Sequence, residues 1–275
     1  MQETIPTSPA TRVVARVTTR PVVASSVGSP GMRVLVLLPT YNEIENIEHV
    51  LRKTREVLPD ADVLVVDDGS PDGTADRAEK LDVDVGRIDV LRRGGKSGLG
   101  SAYRAGFRVG LARGYDVMIE MDADLSHDPA VLPQLVAAIE GGADLAIGSR
   151  YVRGGSAPDW NAGRRAISRV GCVYARAMLG LSVRDATAGF RAYRADMIRT
   201  VPLDEVRADG YGFQVEMAYL VQQRGGTVVE IPITFRDREL GRSKMSARIV
   251  AEALVLVTWW GIRDRVRRLA RRRAG

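Results

Sequence analysis

At 275 residues, 45% of them apolar, the chain can fill a substantial core as one large α/β domain or two small ones, which marks it as globular. Its single cysteine, Cys172, excludes an internal disulfide, fits a reducing compartment and reads as a packed thiol. The formal charge of +6 sits at one end: residues 263–275 hold seven arginines and one aspartate, and taking these from 40 basic and 34 acidic residues leaves 33 of each. The basic end therefore suits an anionic surface, membrane or nucleic acid, or is simply a solvated tail.

Residues 1–31, rich in Thr, Ser, Pro and Val, read as a flexible extension or a start-site artefact. Arg12, Arg16, Arg20 and Pro21 interrupt every apolar run that a secretory signal would need. The main domain is expected over residues 32–246. Its first strand is the apolar run Val34 to Leu38 in "RVLVLLPTYNE", ending at Pro39. The helix that follows has Ile44, Ile47, Val50 and Leu51 at helical spacing, with Asn42 as its cap. "DVLVVDDGS" is a second buried strand, before a polar turn and the helix "TADRAEKL". A third strand near "IDVLRR" leads through a Gly-rich loop into the helix "SAYRAGFRVGLA", and "VMIEMDAD" supplies the fourth strand. Continuous apolar strands alternating with helices predict an α/β fold with a mostly parallel sheet covered on both faces. Such sheets bind ligands at the carboxyl ends of their strands. The clusters "PTYNE", "VDDGSPDGT", "RRGGKSGLG" and "DADLSHD" all fall there.

Asp122 and Asp124, one residue apart where a core strand ends, can aim their carboxylates into one crevice because side chains alternate with period two. Left alone they would repel, and a divalent cation resolves this: Mg²⁺ or Mn²⁺ takes one or two carboxylates and completes its shell with water and a nucleotide diphosphate. Asp128, just before Pro129, reads instead as a helix cap. Asp67 and Asp68 form a second acidic pair at a strand end, suited to ribose hydroxyls or base N–H groups, or to a plain Asp-Gly-Ser-Pro turn. "RRGGKSGLG" is not the P-loop pattern, although Lys96 could approach a phosphate.

The ordered motifs "LPTYNE", "VVDDGSPDGT", "GKSGLGSAYRAG", "MDADLSH", "GSRYV", "DATAGFRAYR" and "FRDRELGRSKMS", spanning residues 33–246, resemble the inverting nucleotide-sugar glycosyltransferases, and within them the polyprenol (dolichol) phosphate mannose synthases. The resemblance implies the GT-A fold and mannose transfer from GDP-mannose to a polyprenyl phosphate. It places Pro39, Tyr41, Glu43 and Asp67 at the nucleoside, with Asp68 and Ala123 also on the donor side, and Lys96 near the diphosphate. Asp122 and Asp124 match the metal-binding acids, with Asp124 also a catalytic position; Ser126 stands where many relatives carry a third ligand, Gln. Arg150, Arg164 and Ser168 match positions that hold donor and acceptor phosphate, the two arginines being catalytic positions as well. Arg238 and Lys244 fall on a mobile basic loop over the site. His127, beside the metal motif, reads equally as ligand support or as part of the helix start.

The sequence offers no convincing triad or placed base. A phosphate acceptor explains this: with its second pKa near about 6, a phosphomonoester oxygen is already largely anionic at neutral pH. The task left is to align two anionic substrates and neutralise them, which a metal and Arg/Lys clamps can do. Residues 247–262, "ARIVAEALVLVTWWGI", are short for a bilayer crossing and are interrupted by Arg248 and Glu252. With the tail they read as an interfacial helix, Trp259 and Trp260 at headgroup level, or else as a core helix closing the fold. This implies a peripheral protein on the cytoplasmic face of an anionic membrane, compatible with a membrane-protein partner and not a nucleic-acid binder. Two alternatives stand beside it: a UDP-glucose-dependent polyprenyl phosphate glucosyltransferase, and a non-catalytic nucleotide-binding module anchored by its arginines.

Overall fold

In the computed structural model, Val34, Val36 and Leu38 of the first apolar run pack on one side of a sheet and Leu35 and Leu37 on the other, all buried. This is why the strand carries no polar alternation: both of its faces are core. The structure describes residues 16–17, 31–237 and 247–274, with side chains over 31–237 and 253–266. Most of the expected extension and the loop carrying Arg238 and Lys244 lie outside the described residues.

The elements run β1 (Arg16–Val17), β2 (Val34–Thr40), α1 (Ile47–Val57), β3 (Asp62–Asp67), α2 (Thr74–Val85), β4 (Ile88–Arg92), α3 (Leu99–Ala112) and β5 (Val117–Glu120). After a 3₁₀ turn (Pro129–Val131) come α4 (Leu132–Glu140), β6 (Leu145–Ser149), α5 (Ala162–Leu179), β7 (Arg191–Arg194), α6 (Ala195–Thr200), α7 (Gly210–Gln223), β8 (Val228–Pro232) and α8 (Ala247–Ala274). The sheet order is β1-β4-β3-β2-β5-β7-β6-β8. β2, β3, β4 and β5 are parallel, as are β6 and β8, whereas β7 runs antiparallel between β5 and β6. β1 pairs antiparallel with the edge strand β4. Helices α1, α2 and α4 cover one face; α3, α5, α6, α7 and α8 cover the other.

Two expectations at the first helix need correction. Ile44 is partly exposed because α1 begins only at Ile47, and its buried stripe is Ile47, Val50, Leu51 and Thr54. Asn42 does not cap it: the residue sits in the left-handed region at φ 55°, where its amide donates to Ser70 Oγ at 3.0 Å. Asp128 does cap the turn at Pro129, accepting from the Ala130 amide at 2.9 Å, and Cys172 is buried as a packed thiol.

The C-terminal helix has a divided character. Val257 and Trp260 belong to the core, with Trp260 stacked on Tyr219 at 6.4 Å between centroids. The Asp264 carboxylate accepts from the Tyr219 hydroxyl and from Gln223 Nε2, tying α8 to α7. Only Trp259 is exposed, so the expectation of both tryptophans at headgroup level is corrected: adjacent residues on a helix point about 100° apart. Among the described residues, no helix is long and apolar enough to cross a membrane.

Candidate active site

Parallel strands that stop at one edge leave their last residues around a shared crevice. Here that crevice is a cleft of about 570 Å³, and all four polar stretches contribute to its wall: Pro39 near the end of β2 with Tyr41 and Glu43 beyond it, Asp68 after β3, Lys96 after β4, and Asp122, Ala123, Asp124, Ser126 and His127 after β5. The opposite half of the chain supplies Arg150, Trp160, Arg164, Asp209, Tyr211 and Asp237.

The segment after β5 turns sharply. Leu125 adopts φ 60°, an unusual left-handed value for a leucine, and this brings the Ser126 amide round to donate to Asp124 Oδ1 at 3.0 Å. Asp124 is buried, while Asp122 is open to the cleft and receives a long contact, 3.4 Å, from the Tyr103 hydroxyl. His127 is stacked against Phe190 at 5.0 Å and edge-on to Phe235 at 5.4 Å. Burial pushes its pKa down to about 4, so the ring is neutral at pH 7; among the described residues its Nδ1 has no hydrogen-bond partner, and it lies 4.0 Å from Asp122 Oδ2. Among the described residues no group of three or more His, Cys, Asp or Glu converges as a complete metal cage. Two cleft carboxylates nevertheless fit Mg²⁺ or Mn²⁺, hard cations that draw their remaining oxygens from water and phosphate.

The donor-side residues divide. Asp68 faces the cleft, accepting from Arg93 Nη1 at 2.6 Å and from the Ser97 amide at 3.1 Å; burial raises its pKa despite these partners. Asp67 does not line the cleft. Its oxygens accept from Thr40 Oγ1 at 2.9 Å, Ser70 Oγ at 2.5 Å and the Ser70 amide at 2.9 Å, so it braces the turn beneath. Glu43 accepts from Asn46 Nδ2 at 3.0 Å, and the Lys96 ammonium lies 4.8 Å above the Tyr41 ring.

The arginines differ in the same way. Arg150 is buried, and its Nε and Nη2 meet Asp185 at 2.8 and 2.6 Å as a two-pronged pair, with Nη2 also reaching Thr187 Oγ1 at 2.9 Å. Burial alone would lower the guanidinium pKa, but Asp185 more than offsets this and raises it; Arg150 in turn holds the Asp185 carboxyl below its usual range against its own burial. Arg164, partly exposed, donates through Nη1 to Asp237 at 2.7 and 3.0 Å. Trp160 sits between them, its ring centroid 5.0 Å from the Arg150 guanidinium and 4.3 Å from that of Arg164, while its Nε1 donates to Asp237 at 3.1 Å. Ser168 lies outside the cleft and accepts from the Tyr151 hydroxyl at 2.6 Å.

A family model described as glycosyl transferase family 2 matches residues 35–201. The chain belongs to glycosyl transferase family 2. Among curated relatives of this family 2 glycosyltransferase, the undecaprenyl-phosphate mannosyltransferase of Micrococcus luteus is 54% identical over 234 residues, covering 85% of this chain and 96% of that protein. The polyprenol monophosphomannose synthase of Mycolicibacterium smegmatis is 48% identical over 240 residues, covering 87% and 91%. Among solved structures, glucosyl-3-phosphoglycerate synthase from Mycobacterium tuberculosis in complex with Mn²⁺, UDP-glucose and phosphoglyceric acid aligns with a TM-score of 0.61 at 21% identity, covering 82% of this chain and 80% of that one, which shows a shared fold.

Four positions that line or brace the cleft of this glycosyltransferase were not singled out in the sequence. Asp185 and Asp237 orient the two cleft arginines, and Trp160 separates them. Asp209 reaches across to accept from the Gly100 amide at 2.7 Å, at the start of α3. That approach is so close that a Cβ on Gly98, at φ +89°, would lie 2.1 Å from the Asp209 carboxylate. Asp185 and Asp237 do stand within the motifs "DATAGFRAYR" and "FRDRELGRSKMS", whereas Asp209 lies in "ADGYG", outside any motif quoted above.

Proposed function

We propose that this family 2 glycosyltransferase transfers mannose from GDP-mannose to a polyprenyl phosphate, inverting the anomeric carbon. Mannosyl transfer to a polyprenyl phosphate is the activity for which the two bacterial relatives are named. The observation that carries the reading is one cleft holding both a carboxylate pair, Asp122 and Asp124, and an arginine pair flanking Trp160. The first suits a metal-bound diphosphate, the second an anionic acceptor.

Asp122 and Asp124 would hold Mg²⁺ or Mn²⁺, with Ser126 supplying its amide to fix Asp124. When bound, the ion neutralises charge on the diphosphate leaving group. Asp68, Glu43 and Tyr41 bound the donor side, with Lys96 close enough to serve its phosphates; Asp67 supports them by shaping the turn. Arg238 and Lys244 are proposed to add positive charge over the loaded site.

The acceptor is a phosphate that attacks as an anion, so the site has to position it and needs no proton acceptor. Arg150 is a fixed positive wall, locked by Asp185. Arg164 is the exchangeable clamp, because its partly exposed pair with Asp237 is worth little in water and yields readily to a phosphate dianion. Arg164→Ala should therefore raise KM for the lipid phosphate by about 10–100-fold, the value of a charged hydrogen bond, with an unchanged melting curve. Arg164→Lys should rescue it only in part. Wild-type lipid kinetics in Arg164→Ala would place the acceptor phosphate elsewhere.

Transfer to a short prenyl phosphate, measured with GDP-mannose against UDP-glucose, tests the donor assignment; preference for UDP-glucose overturns it. Absence of any transfer, with tight polyanion binding by the tail alone, would point to the non-catalytic module. The protein is proposed to work on the cytoplasmic face of an anionic membrane, drawn there by its basic end. Because Asp264 anchors α8, a truncation that spares the fold removes residues 267–275 and five arginines. That truncation should weaken binding to anionic vesicles at low salt and make what remains less salt-dependent, each arginine near the surface being worth about 1 kcal/mol. Equal flotation of both forms at low salt would remove the tail's role.

A further inference from the structure

We infer that Gln214 and Glu120 form a reader for one hydroxyl of the transferred hexose: Gln214 touches the sugar, and Glu120, sealed beneath it, fixes which side of the carboxamide is offered. The inference rests on the hexose donor proposed above and deepens it to the pair of residues that selects the sugar.

α7 is a core helix. Phe213, Val215, Met217, Ala218 and Val221 are all buried, and Gln214, only 2% exposed, stands among them while also lining the cleft. A methionine would fill such a position without desolvating an amide. On β5, the two-residue alternation turns the fully buried Glu120 to the same face as Met118, where α7 packs. There Gln214 Nε2 donates to Glu120 Oε2 at 2.9 Å. The bond uses one N–H of the carboxamide. Its Oε1 is buried and has no partner among the described residues, and the same holds for Glu120 Oε1. Buried polar groups are otherwise hydrogen-bonded, so a pair kept only for packing would not leave the amide oxygen unmet. A partner that arrives with the ligand accounts for it.

The backbone around the pair is fixed. Arg191 Nη1 donates to the Gln214 carbonyl at 2.7 Å, while Nε and Nη2 hold the carbonyls of Ala188 and Ala186 at 2.7 and 2.8 Å. One buried guanidinium thereby ties α7 to residues 187–189, which also line the cleft. Gly189 leaves an open floor between them. Its φ lies outside the left-handed region, so the backbone does not require glycine there. A Cβ would make only ordinary contacts, 3.9 Å from both Asp122 Oδ2 and Gln214 Nε2 and 4.0 Å from His127 Cε1. What glycine keeps at this point is space, bounded by one acid of the metal pair, the carboxamide and the His127 ring stacked on Phe190.

Position identifies the ligand. With the diphosphate at Asp122 and Asp124, the next group along the donor is the hexose, and Gln214 stands at the floor beside Asp122. A sugar hydroxyl both donates and accepts, so it can serve Oε1 and the second Nε2 hydrogen together. A site built to bond one hydroxyl rejects a sugar that lacks it. Glu120 makes no contact with the sugar; by accepting one N–H it holds the carboxamide in a single orientation, as a positioning residue.

The test is calorimetric binding of GDP, GDP-mannose and its monodeoxy analogues to the full chain with Mn²⁺, for the parent and for Gln214→Met, beside melting curves. In the parent, one deoxy analogue should bind about tenfold or more weaker than GDP-mannose, the value of a hydrogen bond at a buried site. In Gln214→Met, GDP-mannose should fall to that level and the same analogue should lose nothing further, with GDP affinity and melting unchanged. Glu120→Gln should give a smaller loss on that same hydroxyl, which a general loosening of the fold would not single out. Gly189→Ala should fold normally, keep its affinity for GDP and bind GDP-mannose more weakly. Should Gln214→Met melt early, Gln214→Asn, which keeps the amide but draws it back by one carbon, gives the same reading. Equal losses for every analogue in parent and variant would overturn the inference, as would a parallel loss of GDP affinity, the mark of a structural role. A parent that binds GDP-mannose no better than GDP counts against the donor assignment instead. The cycle is then run with UDP-glucose and its deoxy analogues, where coupling to Gln214 upholds the hydroxyl contact and its absence overturns it.

Discussion

Asp124→Asn should abolish metal-dependent transfer, by about a thousandfold or more, without disturbing the fold. The size follows from the role: an ion that neutralises the leaving diphosphate is worth several kcal/mol in the transition state. The fold survives because asparagine is isosteric and its Oδ1 can still accept the Ser126 amide bond that shapes the turn. A melting curve and calorimetric Mn²⁺ binding in the presence of GDP should separate the effects, with melting unchanged and metal affinity reduced. Full activity in Mg²⁺ or Mn²⁺ would sink the metal assignment of this pair.

Asp185→Ala should cost about 3–5 kcal/mol of stability, because it leaves the buried Arg150 guanidinium without its counter-charge. Chemical denaturation reads the loss directly. For the same reason Arg150→Ala is not a clean probe of acceptor binding: it strands the Asp185 carboxylate, which also accepts from the Arg150 amide at 2.9 Å. Separate KM and folding measurements are therefore essential at position 150, whereas position 164 can be read from kinetics. An Asp185→Ala protein that unfolds at the parent's midpoint would mean that the cleft hydrates Arg150 far better than its burial implies.

Much of this site could be read in the sequence because the strands that build it are unbroken apolar runs. Such runs end where the chain becomes polar, and in a parallel sheet those ends converge. Which of two neighbouring residues faces the cleft was not legible. Asp67 and Asp68 differ by one position, and a strand's two-residue alternation sends one into the turn and the other into the cleft only once the register is fixed. Trp259 and Trp260 divide for the analogous helical reason. The second half of the sheet was also hidden. β7 inserts antiparallel between β5 and β6, and its Arg191 is fully buried. Arg191 donates to the carbonyls of Ala186, Ala188 and Gln214 at 2.8, 2.7 and 2.7 Å, partners supplied by distant segments. Arg150 was recognised as a phosphate position, but its fixed orientation depends on Asp185, 35 residues away.

The placement of the three tryptophans makes the protein its own optical instrument. Trp160 stands in the cleft between two guanidinium groups with its indole N–H on Asp237, Trp259 is exposed on the outer surface of α8, and Trp260 is sealed in the core. Loading the acceptor pocket perturbs the polarity around the first, transfer from water to hydrocarbon shifts the emission of the second to shorter wavelength, and the third reports only on whether the interior is intact. Occupancy, landing and unfolding are thus written into three separate fluorophores, and stopped-flow emission can establish whether the protein reaches the bilayer before or after its lipid substrate.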